Sequence, residues 1–252
     1  MSSRDVRPSG DLLGGRTVTI AFQPIVDMSN EDIFGYEVLV RDSGGSTGAN
    51  GLVRQALARG EMNRLDRRVL TLCIRQRTVW AGLPLFVNIG PLSHPDVDVM
   101  ARAYRRWVVA HGLDPARIVF EISERVPIVG GPGLACARAL RAAGFGIALD
   151  DVGTGLSGLG ALIEVRPDYI KVDGTITRAT AQDPWAQQVV AGLVSLAANV
   201  GIRLIAEGIE TGEHLRAVIR LGVRYVQGYY LGRPVVYAGD PTPFTGRVGG
   251  LR

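Results

Sequence analysis

Asp150 and Asp151 stand side by side at the end of a short apolar run, Gly146-Ile147-Ala148-Leu149, and are followed by Val152-Gly153-Thr154-Gly155. The run reads as a strand and the glycines as the turn that ends it. Side chains alternate along a strand, so the two carboxylates are expected to point to different sides and reach two neighbouring points in space. A pair of divalent metal ions a few ångströms apart is one arrangement that needs this. The plainer reading is a strand running into an Asp-rich turn whose carboxylates accept backbone N–H bonds. A third reading takes Gly153-Thr154-Gly155-Leu156-Ser157-Gly158 as a dinucleotide-binding loop, with Asp173 as the ribose-binding acid twenty residues on. Two features oppose it. Carboxylates directly before the glycines would repel a pyrophosphate, and the helix from about Ser157 to Val165 is short for a crossover before Arg166-Pro167 breaks it.

The elements that must position these acids alternate along the chain. Strands are expected at Thr17–Val26, Ile33–Arg41, Leu85–Ile89, Ile118–Ser123, 146–151, Tyr169–Asp173 and Arg203–Ile209, with a last one starting at Tyr225-Val226. Helical periodicity marks Leu52–Arg59, Arg64–Val79, Val97–His111, Gly133–Ala143, Pro184–Val200 and Glu213–Leu221. Asp27 to Asp32 is too short a connection for anything but an antiparallel pair. Repeated β–α alternation then argues for an α/β barrel or a doubly wound sheet.

The polar residues expected at the C-terminal ends of the strands are Gln23, Glu37 with Arg41, Asn88, Glu121, Asp150 with Asp151, Lys171, Glu207 and Gln227. In a TIM-like (β/α)8 barrel such ends converge on one face. One or two could be helix caps or turn formers; that explanation strains over eight strands. Glu37 lies in the apolar run Tyr36-Glu37-Val38-Leu39-Val40, where an unpaired carboxylate would be costly. Together they make an oxygen-rich cage suited to Mg²⁺ or Mn²⁺. His94, His111 and His214 fall in loops and helices, which argues against zinc. Lys171 is the single lysine among 28 basic residues, all others being arginine. In so biased a chain, one lysine at a strand position asks for a chemical reason.

The bulk numbers set bounds. The chain has 252 residues and 46% hydrophobic content, enough for one sizeable core. No apolar run approaches a membrane span, and Met1 to Gly15 has no signal-peptide core, so a cytoplasmic protein without membrane contact is expected. Cys73 and Cys136 sit in helical patterns and imply no disulfide framework. A net charge of +4, spread along the chain, speaks for a solvated surface, not a nucleic-acid polymer as partner. The expected organisation is a flexible leader at 1–15, one barrel over 16–240 and a C-terminal tail at 241–252.

Taken together, Gln23-Pro24-Ile25, Glu37-Val38-Leu39-Val40-Arg41, Val87-Asn88-Ile89, Glu121-Ile122-Ser123-Glu124, Asp150 to Gly155, Ile170-Lys171-Val172-Asp173, Ala206 to Thr211 and Gln227-Gly228-Tyr229 resemble the EAL-domain cyclic di-GMP phosphodiesterases. The resemblance covers about residues 17–235. It implies a TIM-like barrel with one antiparallel strand, two divalent metal ions (Mg or Mn), hydrolysis of cyclic di-GMP to linear pGpG, and a homodimer. It implies that Glu37, Asn88, Glu121 and Asp150 hold one metal, and Asp150, Asp151 and Glu207 the other. Lys171 would contact the nucleophilic water, with Gln227 beside it and Glu207 part of the catalytic set. Gln23, Leu39 and Arg41 would hold the substrate. Glu124 would anchor the loop that carries Thr154, and Glu210 would support it. Three positions depart from the family pattern: Val38 for alanine, Val152 for phenylalanine and Leu156 for an aromatic residue. They put rate and regulation in question more than identity. The alternative within the same resemblance is a catalytically weak receptor for cyclic di-GMP. The sequence carries no segment read as a sensor or cyclase domain, so control is expected from expression, dimerisation or another protein.

Overall fold

The structure is a computed structural model that describes residues 17–42, 49–90, 96–124, 128, 130–153 and 158–237. The expected leader, the tail and Thr154 lie outside them. Eight strands close into a barrel in sequence order: β1 (Val18–Asp27), β2 (Asp32–Asp42), β3 (Leu85–Asn88), β4 (Ile118–Ser123), β5 (Gly146–Val152), β6 (Tyr169–Val172), β7 (Arg203–Ala206) and β8 (Tyr225–Gln227). β1 is antiparallel to both neighbours, β2 and β8, and every other pairing is parallel. The barrel and its one antiparallel strand are as expected. The closed sheet disposes of the doubly wound alternative and of the dinucleotide loop. Asp173 is instead a helix cap, accepting from the Thr175 N–H at 2.7 Å.

The helices ring the strands: α1 (Ala49–Arg59), α2 (Met62–Arg75), α3 (Arg77–Trp80), α4 (Val97–Ala110), α5 (Pro132–Ala142), α6 (Gly158–Val165), α7 (Gly174–Ala179), α8 (Pro184–Val200) and α9 (Gly212–Arg220). The single helix expected over Arg64–Val79 breaks at Gln76, and α7 was not anticipated. Its six residues carry no apolar period, so its start rests on the Asp173 cap alone.

Alternation along each strand builds two interior layers. The lower is apolar: Ile25, Phe86, Val119, Ala148, Tyr169, Ile205 and Tyr225 form one buried cluster. Gly35 takes the β2 place in that layer. A Cβ there would lie 2.5 Å from the Pro84 carbonyl oxygen and 3.3 Å from the Phe86 ring, so only glycine fits. Two residues further along each parallel strand stand Glu37, Asn88, Glu121, Asp150, Lys171, Glu207 and Gln227. Gln23 precedes Ile25 by two because β1 runs the other way. It lies mid-strand and pairs with Glu37, which corrects its expected place at a strand end. The outward faces, including Val38, Phe120, Leu149, Ile170 and Val226, pack under the helices in the larger core. Val38 therefore points away from Glu37, and its departure from the family pattern is a packing change.

The opposite end of the barrel is closed by charge. Asp27 accepts from Arg224 Nε at 2.9 Å and from a terminal guanidinium nitrogen at 2.6 Å, and from the Ser29 N–H at 2.9 Å. These hydrogen bonds, Arg224 foremost, hold its carboxyl at about 2 against an ordinary 3.8. A carboxyl with a lowered folded pKa contributes stability above its unfolded pKa and loses it as pH falls through the folded one. Asp27→Asn should therefore lower the thermal unfolding midpoint at neutral pH, and the gap from wild type should close as pH is taken from about 4 to about 2. A gap that stayed constant with pH would show that Asp27 supplies shape and not charge.

Candidate active site

The upper layer closes on one point. The Lys171 ammonium lies 2.6 Å from Glu121 Oε1, 2.7 Å from Glu207 Oε1, 3.3 Å from Glu37 Oε2 and 3.4 Å from Asp150 Oδ1. Lys171 and Glu121 are fully buried at 0% exposure, so each charge exists only by virtue of the others. Two amides complete the ring. Gln227 Nε2 donates to Glu37 Oε2 at 2.6 Å, and Asn88 Nδ2 donates to Glu121 Oε2 at 2.7 Å. Glu37, costly if unpaired in its apolar strand, is thus held from β3, β6 and β8.

Four carboxylates surround one ammonium, and this sets the local electrostatics. Burial alone would lower the pKa of Lys171, but Asp150, Glu121, Glu207 and Glu37 outweigh it and hold the amine charged, well above its ordinary value. For Glu121, burial pushes the carboxyl up, Lys171 pulls it down, and Glu37 and Asp150 push it up again. Glu207 shifts upward by the same causes in the same order, with Asp150 ahead of Glu37. The cage carries more negative charge than its lysine can offset.

Asp150 and Asp151 do not simply alternate. Asp151 has φ of 59°, in the left-handed region, and the β5–β6 register shifts between Leu149 and Val152. Such a kink re-aims a side chain at a barrel rim. Asp151 consequently reaches Ser123 on β4, accepting its hydroxyl at 2.8 Å. Ser123 was not singled out from the sequence, although it lies two residues past Glu121 on the same inward face. Buried Glu124 then accepts the Gly153 N–H at 3.1 Å, tying the end of β5 to β4.

β1 and β2 continue past the barrel, where Leu39 and Arg41 pair with Ala21 and Thr19. Both fall on the Glu37 face of β2, at the mouth. Arg41 is half-buried and donates to the Val40 carbonyl at 2.9 Å. Gln23 donates to the Gly232 carbonyl at 3.2 Å. A cleft of about 320 Å³ opens beside the cage, lined by Gln23, Glu37, Glu207 and Gln227 and, on its outer side, by Asp173, Gly174, Thr175, Arg178, Gly208, Glu210, Gly228 and Tyr229. Of the outer residues, Gly174, Thr175 and Arg178 were not picked out from the sequence, because they lie on α7, which was not anticipated. Glu210 is exposed and pairs with Arg178 at 3.4 Å, at the rim of the cleft. His111 and His214 sit at helix ends, bonded to the Trp107 carbonyl and the Glu210 N–H, and His94 lies outside the described residues.

The donor set fits a hard divalent cation. It consists of carboxylate oxygens with one amide, on strands that bring them to a common centre. Glu121 Oε1 and Asp150 Oδ1 are buried against Lys171 alone, at 2.6 and 3.4 Å, and Gln227 Oε1 is buried without a hydrogen bond among the described residues. A buried amide oxygen left in this way asks for a further partner. As the described side chains stand, no three of them are spaced to hold a metal ion, since they converge on the ammonium.

The EAL domain family model matches residues 10–234. The chain belongs to the EAL domain family. Among curated relatives, the probable cyclic di-GMP phosphodiesterase PdeD of Escherichia coli is 30% identical over 84% of this chain and 41% of its own length. Other curated relatives are matched over a similar share, so this chain spans about a third to two fifths of the length of the first of them. Among solved structures, the EAL fold here superposes on the MucR phosphodiesterase of Pseudomonas aeruginosa in its c-di-GMP complex. The TM-score is 0.76 at 27% identity, over 87% of this chain and 92% of that one. The BlrP1 protein of Klebsiella pneumoniae, in a manganese/cy-diGMP complex, gives 0.78 at 28% identity, over 90% of this chain and 58% of that one.

The kink at the end of β5 leaves little room for side chains. Gly153 has φ of 101°, and a Cβ there would lie 2.2 Å from Ile176 Cδ1 on α7. Gly153→Ala should cost about 1–3 kcal/mol in urea unfolding, from the strained backbone and the collision. A neutral effect would show that the loop and α7 move apart freely.

Proposed function

We propose that this chain is a divalent-metal-dependent phosphodiesterase that opens cyclic di-GMP to linear pGpG. The observation that carries the reading is the convergence of Glu37, Glu121, Asp150 and Glu207 on one buried point in an EAL-family barrel. Relatives bearing the phosphodiesterase name and the c-di-GMP complexes support the substrate class. In this reading Glu37, Asn88, Glu121 and Asp150 hold one ion, and Asp150, Asp151 and Glu207 hold the second. When bound, the ions would supply a deprotonated water and neutralise phosphate charge.

The chain's own residues do the rest. Asp151, fixed by Ser123, and Glu124, fixed on Gly153, keep the end of β5 in place. Gln227, locked to Glu37, and Lys171 hold the attacking water against its carboxylates. Arg41 and Leu39 on the extended hairpin cover the mouth beside Gln23 and hold the dinucleotide, while Glu210 supports the rim. An ammonium is a compact point donor, whereas a guanidinium is broad, planar and hard to deprotonate. Lys171 is 0% exposed, so its head meets only the groups of the cage.

We further propose a homodimer. Leu159 and Ile163 on α6 are 61% and 72% exposed, and Trp185 on α8 is 81% exposed.

Incubation with cyclic di-GMP and Mg²⁺ or Mn²⁺ should yield linear product, and EDTA should abolish it. Lys171→Arg should keep the fold and bind cyclic di-GMP while losing about 10²–10⁴-fold in turnover. Activity in metal-free buffer would sink the metal-dependent reading. Binding without turnover by the wild type would make the chain a receptor. Near wild-type turnover of Lys171→Arg would mean that the lysine is only a counter-charge for Glu121. Light scattering tests the dimer: the wild type should run at twice the chain mass and Ile163→Glu as a monomer, and a monomeric wild type at micromolar concentration contradicts it.

A further inference from the structure

The four carboxylate oxygens within 3.4 Å of Lys171 Nζ come from β2, β4, β5 and β7, and they belong to the groups assigned above to the two ions. An ammonium has three protons. It makes two close contacts, at 2.6 and 2.7 Å, and two loose ones, at 3.3 and 3.4 Å. A divalent ion and an ammonium draw on the same lone pairs of these oxygens, and like charges this close repel. We propose that Lys171 competes with the divalent ions for Glu121 and Glu207, so that this one ammonium sets how tightly the cage holds metal. The inference rests on the metal-dependent reading and adds a role for Lys171 apart from the chemistry.

Three features of the chain support it. Lys171 is buried on all sides, so its charge is neutralised by the cage and by nothing outside it. Its contacts are uneven, and the carboxylates outnumber it. Its flexible four-carbon stem lets the head give up one carboxylate for another, which a rigid guanidinium fork does less readily. The competition also offers a reason for the only lysine in a chain that otherwise uses arginine throughout.

The single lysine makes the test direct. The full chain carrying ¹⁵N-lysine shows one side-chain ammonium signal in NMR. Titration with Mg²⁺ should shift or broaden that signal in step with metal uptake measured by calorimetry. Lys171→Met should bind Mn²⁺ at least about tenfold more tightly than wild type, since one competing positive charge is gone. It should also unfold at lower temperature than wild type in EDTA, with most of the gap recovered in saturating Mn²⁺. An ammonium signal that stays put while calorimetry saturates would overturn the competition and leave the metal-dependent reading standing. So would equal or weaker Mn²⁺ binding by a folded Lys171→Met. Absence of metal uptake by the wild type would overturn both. If Lys171→Met does not fold, the wild-type titration decides.

Discussion

The structure depends on a buried imbalance of charge. Glu37, Glu121, Asp150 and Glu207 surround one ammonium in the dry interior of a barrel. Isolated carboxylates at such a site would be prohibitively costly, and removing any one partner exposes the rest to that cost. Each neighbouring feature lowers it. Gln227 and Asn88 turn their NH₂ groups toward the acids, and the Tyr169 layer below excludes water from the stems. The excess of negative charge that remains is the property on which the proposed metal binding rests.

Only a closed parallel sheet delivers so many acids to one place. Each strand contributes one inward residue per layer, and neighbouring strands lie close enough for their side chains to meet across the axis. A single antiparallel strand modifies the plan. β1 brings Gln23 into the polar layer from the opposite direction, and its long pairing with β2 carries Leu39 and Arg41 beyond the rim. Glu37 therefore belongs both to the barrel and to the base of an arm over the mouth. At the far end, Arg224 and Asp27 lock β8 to β1, so the barrel closes by charge at one end and holds charge at the other.

The end of β5 shows how a local irregularity serves the site. A regular strand would have sent Asp150 and Asp151 to opposite faces. The left-handed Asp151 keeps both at the mouth, where Ser123 and Glu124 on β4 hold the kink. Backbone strain at a non-glycine residue persists only where its surroundings over-determine it, and here a hydroxyl and a buried carboxylate on the adjacent strand do so.

Much of this was readable from residue order. Period-two alternation, the short Asp27–Asp32 connection and the β–α succession are near-neighbour properties, and they sufficed for the strands, the antiparallel β1–β2 pairing and the cage Glu37, Asn88, Glu121, Asp150, Lys171, Glu207 and Gln227. The apolar residue two places before each of the last six was equally present in the chain, waiting for the barrel to make a layer of it. What the tertiary structure alone decided depends on how closure brings distant strands together. It decided that four acids meet on Lys171, that Gln23 serves from mid-strand, and that Asp151 turns back toward Ser123. It also decided that Arg178, Glu210 and Tyr229 share a rim with Glu207. Local propensity sets which way a side chain points along its own strand; only the register and curvature of the closed sheet set what it meets.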